Sequence, residues 1–90
     1  SGIGGATAEV VGEKLRSLAA FHQILCITHL PQIACKGETH FLVWKIVEDR
    51  RAVTSISELA REERVMEVAR LLGGKTISEK VVAHAREILG

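Results

Sequence analysis

The side chain best placed to do chemistry is His29, within the run Gln23-Ile24-Leu25-Cys26-Ile27-Thr28-His29-Leu30-Pro31-Gln32. Residues 23–28 are almost all apolar or β-branched, which predicts a strand buried on both faces. The run stops at a histidine followed within two residues by proline, so His29 falls at the strand's carboxyl end. In open α/β sheets that end faces the crevice where ligands bind, and an imidazole there is placed for proton transfer or hydrogen bonding rather than for packing. Thr28 and Gln32 flank it with further polar groups. The bland reading is a histidine that caps a backbone carbonyl, a polar strand end at Thr28 and a solvated first helical turn at Gln32.

A second candidate group is Gly2, Gly4 and Gly5, in the glycine-rich start Ser1-Gly2-Ile3-Gly4-Gly5. Residues without a Cβ let a backbone pass close to a neighbour, although the same composition suits a loose chain end. His22, His40 and His84 have no ligand spacing on a common element, and Cys26 and Cys35 form no C-x-x-C pair. Neither a metal site nor a disulfide framework is expected.

The elements that position these residues follow from periodicity. From Ala6 to about Ala20, Val10, Val11, Leu15, Leu18 and Ala19 fall on one helical face and Glu9, Glu13, Lys14 and Arg16 on the other. Gly12 inside that helix points to something packed closely against it. Glycine loop, helix and buried strand together form the second half of a βαβ unit whose first strand is absent, which predicts a missing amino-terminal part. Pro31 suits the first turn of a short helix over about 31–36, ended by Gly37. Strands are predicted at about 40–47 and 52–58. In the first, Leu42, Trp44 and Ile46 point one way and Phe41, Val43, Lys45 and Val47 the other, with the Lys45 stem lying along apolar surface. The second, more polar strand belongs at a sheet edge.

The joining residues Glu48-Asp49-Arg50-Arg51 lack the Asn-Gly or Asp-Gly of a tight hairpin. A helix over 60–72 carries the stripe Val65, Val68, Ala69, Leu72 and closes on Gly73-Gly74. Its opening run Arg61-Glu62-Glu63-Arg64 reads as a solvated, mixed-sign face. A capping box of Thr76 and Glu79 opens the last helix, which runs to about Leu89 with Val81, Ala85, Ile88 and Leu89 inward.

Composition limits the function classes. Ninety residues make at most one small domain, and 47% hydrophobic with 26% charged residues is a globular balance. A net charge of +1 sets up no field that would recruit nucleic acid. With only Phe21, Phe41 and Trp44 as aromatics, stacking platforms for single strands are missing. No apolar run is long enough to span a membrane, there is no signal peptide, and a reducing cytoplasm fits the cysteine usage.

Four motifs then go beyond a generic α/β domain: Gly2-Ile3-Gly4-Gly5-Ala6-Thr7-Ala8-Glu9; Leu25 to Ala34 around Thr28-His29-Leu30-Pro31-Gln32; Glu63-Arg64-Val65 through Ala69-Arg70-Leu71-Leu72-Gly73-Gly74; and His84-Ala85-Arg86-Glu87-Ile88-Leu89. In this order, across essentially all of the chain, they resemble the carboxyl end of the bacterial RecN family of DNA repair proteins. That family in turn resembles the structural-maintenance-of-chromosomes (SMC) and ABC-type ATPases. The resemblance implies an α/β fold: the C-terminal part of a P-loop NTPase head, built as helix, strand, short helix, β-hairpin and two helices, with residues 1–90 forming a single incomplete domain.

It implies ATP-dependent double-strand-break repair by recombination, with ATP and Mg2+ as cofactors of the full-length protein and none bound to this fragment alone. His29 would be the switch histidine, hydrogen-bonded to the γ-phosphate or the attacking water, with Thr28 and Gln32 beside it. Gly2, Gly4 and Gly5 would be the D-loop region, close to nucleotide or a second head. The implied partners are a second ATPase head in a homodimer, the N-terminal half of the same head, and DNA through the full-length protein. The implied location is the cytoplasm, at the nucleoid. The Walker B acidic residues would lie just before Ser1, and the Walker A and signature motifs are absent, so the fragment alone is expected to be inactive. One departure from the family pattern is Arg50 or Arg51 at the hairpin turn, where relatives would carry glycine.

Two other readings stand beside this one. The chain could be a stand-alone α/β protein-interaction module without ATPase activity, or a segment that binds DNA directly, which its near-zero charge disfavours. The apolar surface of Val10, Leu15, residues 24–27 and the closing helices exceeds what one small layer can bury, so self-association in isolation is predicted.

Overall fold

A computed structural model describes residues 4–90. Gly2, one of the candidate glycines, lies outside the described residues. The element order is α1 (Gly5–Ala19), α2 (Pro31–Ala34), β1 (Phe41–Glu48), β2 (Arg51–Glu58), α3 (Arg61–Gly73) and α4 (Glu79–Leu89). The expected strand over 23–28 is the principal correction: those residues form no ladder with any described residue. Leu25 is 87% exposed and Ile27 94%, and Cys26 is exposed as well. An apolar run becomes a buried parallel strand only between neighbouring strands, and here the remaining strands pair with each other.

That pairing is a two-stranded antiparallel hairpin with Phe41 opposite Glu58, Trp44 opposite Ser55 and Glu48 opposite Arg51. The turn is a tight two-residue one, with φ of 45° at Asp49 and 64° at Arg50. Positive φ at both central residues matches the right-handed twist of the strands, so the register is set despite the absence of glycine. Side chains alternate between faces as expected. On one face Leu42 is half-buried but Trp44 and Ile46 are exposed, and on the other Val43, Val47 and Ile56 stay exposed, so neither face is covered along its length. Both strands are therefore edges, not the second alone.

The core lies between α3 and α4. Val65, Val68, Ala69 and Ala85 are fully buried, and Leu72, Val81, Val82, Ile88 and Leu89 pack around them, which is the stripe that helical spacing specifies. Close approach of these helices depends on Gly73, where a Cβ would lie 3.1 Å from Val81 Cγ1. Gly74 ends α3 at φ 70° and donates its N–H to the Arg70 carbonyl at 3.0 Å. The cap of α4 is Ser78 and not Thr76: the Ser78 hydroxyl accepts from the Val81 N–H at 3.2 Å. Ser78 directly precedes the first helical residue, so its hydroxyl reaches the N3 amide, whereas Thr76 stands too far upstream.

Helix α1 departs from its expected face. Ala8 and Gly12 are the buried positions, while Val10 (63% exposed) and Leu18 (50%) point outward. The reason is that α2 seats on the small-residue edge, which leaves Val11 and Leu15 half-buried and Val10 and Leu18 without a cover. No described helix is long and apolar enough to cross a membrane.

Candidate functional site

The chain enters the site from the extended segment and turns sharply before α2. The Thr28 hydroxyl accepts from the Leu30 N–H at 3.0 Å, a side-chain turn that leaves His29 on the outside of the bend. Leu30 is extended (φ −95°, ψ 120°), as the residue before a proline must be, and Pro31 opens α2 where its missing N–H is no loss. The Leu30 carbonyl receives the Ile33 and Ala34 N–H groups at 3.1 and 2.9 Å. His29 is exposed and makes no hydrogen bond to another described residue.

Two other candidates meet across a long stretch of chain. A Cβ on Gly5 would stand 3.3 Å from Gln32 Nε2, so the Gln32 side chain lies over the first turn of α1. Gly4 is the N-cap of that helix, with no side-chain cap and open space where a Cβ would be. The start of α1 therefore presents uncapped N–H groups beside Gln32, at the positive end of the helix dipole. Thr28, half-buried, is committed to its own turn.

What fixes these pieces is the seating of α2 between α1 and α3. On one side, a Cβ at Gly12 would come within 3.0 Å of both the Gln32 carbonyl oxygen and Lys36 Cγ, so helix α1 touches α2 through backbone, the close packing that Gly12 implied. Lys36 adds an ion pair to Glu13. The hydrogen bond to Lys36 holds the Glu13 carboxyl below the usual carboxylate range, and the same bond pushes the Lys36 ammonium up.

On the other side, Arg64 of α3 donates to the Ala34, Cys35 and Glu38 carbonyls at 3.2, 3.4 and 3.4 Å, and to the Gly37 carbonyl. Arg64 was expected on a solvated face; it is half-buried instead, and burial pulls its guanidinium below its ordinary value. Burial likewise raises the Cys35 thiol and, together with Arg64, lowers His40. Nothing in a mixed-sign run singles out Arg64. The available signal was a helix too short to satisfy its own carbonyls.

No family model matches the chain. Among curated proteins it is 51% identical over 89 residues to the DNA repair protein RecN of Xylella fastidiosa, covering 99% of this chain and 16% of that protein. It is 49% identical over 88 residues to RecN of Haemophilus influenzae (98% and 16%) and 48% identical over 89 residues to RecN of Deinococcus radiodurans (99% and 16%). This chain belongs to the RecN family. It corresponds to the carboxyl-terminal part of RecN and spans 16% of the length of these relatives.

The sequence resemblance implies the C-terminal part of an SMC-like ABC ATPase, an expectation the site can be set against. A triphosphate and its metal need a cradle, and the described residues hold no complete one. Gly73-Gly74-Lys75-Thr76 ends a helix and has Ala69 where the phosphate-binding pattern G-x-x-x-x-G-K-[ST] needs its first glycine, and among the described residues no three His, Cys, Asp or Glu side chains converge. A surface concavity runs along the outer side of α1, past Ala6, Val10 and Lys14, and His29 does not line it.

Proposed function

We propose that this chain closes the ATPase head of a RecN protein acting in DNA double-strand-break repair and recombination. ATP and Mg2+ are held by parts of the full-length protein outside this segment, and a second head completes the site in a homodimer. His29 hydrogen-bonds the γ-phosphate or the attacking water. Gly4 and Gly5, with Gly2 before them, form the loop next to the nucleotide and the opposing head, Gln32 holds the two margins together, and Thr28 shapes the turn that carries His29. The supporting observation is the contact of Gln32 with Gly5, which joins the start of α1 to the turn carrying an exposed His29.

The uncovered Leu25 and Ile27 favour this reading over a stand-alone interaction module, because a self-contained domain covers its apolar strands. In full-length RecN carrying this segment, His29→Ala should lower ATP turnover about a hundredfold while nucleotide binding and the melting temperature stay near the parent's. Unchanged turnover would refute the role of His29.

A further inference from the structure

Helix α2 has only four residues, too few to hold its own geometry by propagation, and its carboxyl end carries carbonyls with no helical partner. The Gly37 N–H reaches back to Ala34 at 3.4 Å, whereas the Cys35, Gly37 and Glu38 carbonyls take hydrogen bonds from the Arg64 guanidinium. Arg64 sits in the second turn of α3, next to the fully buried Val65, so its backbone is anchored in the α3/α4 core. A planar, forked donor is the side chain that can serve several carbonyls converging from different directions. Its charge also complements the negative end of α2.

The opposite end of the same short helix carries Pro31 and, two residues earlier, His29. Its flank carries Gln32 on the start of α1. Four residues rise only about 6 Å, so a tilt at the carboxyl end is transmitted to the His29 turn with little loss.

We infer that Arg64 is a positioning residue for His29: by tying the end of α2 to the α3/α4 core it fixes where the imidazole and Gln32 stand relative to the start of α1. The inference rests on the proposed role of His29. It adds that the closing helices act on turnover through the Arg64 side chain of α3.

The test is a double-mutant cycle in full-length RecN carrying this segment, with kcat and KM for ATP measured for the parent, Arg64→Ala, Arg64→Lys, His29→Ala and His29→Ala/Arg64→Ala. Arg64→Ala should lower kcat about tenfold to a hundredfold with little change in KM, the size of loss that a small misplacement of a reacting group produces. Arg64→Lys, which keeps the charge but loses the fork, should recover part of it. In the His29→Ala background the Arg64 substitution should have no further effect, a non-additivity that a general loss of stability would not produce.

Hydrogen exchange should speed up in peptides covering residues 28–38 and not in those covering α4. Full additivity of the two substitutions, or parental kcat in Arg64→Ala, overturns the positioning role while leaving His29 intact. Parental kcat in His29→Ala alone overturns the underlying reading, and the inference falls with it.

Discussion

Replacing Gly12 by alanine sets two effects of known size against each other. In an open helix the change stabilises by about 1 kcal/mol, because glycine is the poorer helix former. At position 12 the new methyl would lie 3.0 Å from the Gln32 carbonyl oxygen, 3.0 Å from Lys36 Cγ and 3.6 Å from Ile33 Cα. Lysine carbons can swing aside, but Lys36 is held by Glu13, and a backbone carbonyl moves only if α2 moves with it. Overpacking of this kind costs about 1–3 kcal/mol. The clash wins, and a net loss of roughly 1 kcal/mol is expected, which for a domain of this size is about 4–8 °C in melting temperature.

Thermal unfolding of the 90-residue chain followed by helical circular dichroism measures it. Ser17→Ala, on the exposed side of the same helix, serves as the control and should gain a few tenths of a kcal/mol. If Gly12→Ala stabilises as Ser17→Ala does, α1 has room above α2 and the account of how the His29 turn is seated is wrong.

Arg50→Gly should stabilise the hairpin by about 0.5–1 kcal/mol, since a side chain at φ 64° carries a left-handed penalty of roughly 1–2 kcal/mol that glycine escapes at some entropic cost; an unchanged or lower melting temperature would count against the two-residue turn. Hydrogen bonds from Lys36 and Arg86 hold the Glu13 and Glu62 carboxyls below the usual carboxylate range, the Arg86 contacts being 2.6 and 2.7 Å. A carboxylate depressed by folding contributes stability above its unfolded value, near pH 4.3, and loses it as pH falls through the folded value. Glu13→Gln and Glu62→Gln should therefore flatten the acid limb of a urea-midpoint profile, and profiles parallel to the parent's down to pH 2 would refute the pairing. The chain exposes 7036 Å², against roughly 5,200 Å² for a compact protein of its mass. Sedimentation should show concentration-dependent association that Leu25→Glu/Ile27→Glu weakens, and a monomer at high concentration would contradict it.

Much of the closing half was legible because its signals are local. The spacing of Val65, Val68, Ala69 and Leu72 specifies a helix face, the Gly73-Gly74 pair its end, and the alternation through residues 41–47 a strand. Gly12 carried its message as well, since a glycine inside a helix is costly unless something needs the space. The rest depends on which surface a neighbour occupies. The α1 stripe led by Val10 and Leu18 read as the inward face, but α2 took the Ala8–Gly12 edge. The run over 23–28 has the composition of a central strand and lacks flanking strands here. Arg64 was illegible because its partners are main-chain carbonyls, which leave no pattern in side-chain types.

These differences have one physical root. The packed core of α3 and α4 holds two fully buried valines and two alanines, while Leu25 and Ile27 stand in solvent. Covering those two side chains would contribute about 1.5–3 kcal/mol each, a sum comparable to the lower end of a small domain's whole stability. A neighbour that covered residues 24–27 would therefore stabilise this segment about as strongly as the segment stabilises itself. The His29 turn follows directly after residues 24–28, so such a neighbour would act on its geometry from one end while Arg64 and Gly12 act through α2 from the other. A substitution at Leu25 or Ile27 in the full-length protein should then act on turnover in the same direction as one at Arg64, though the two sites share no contact.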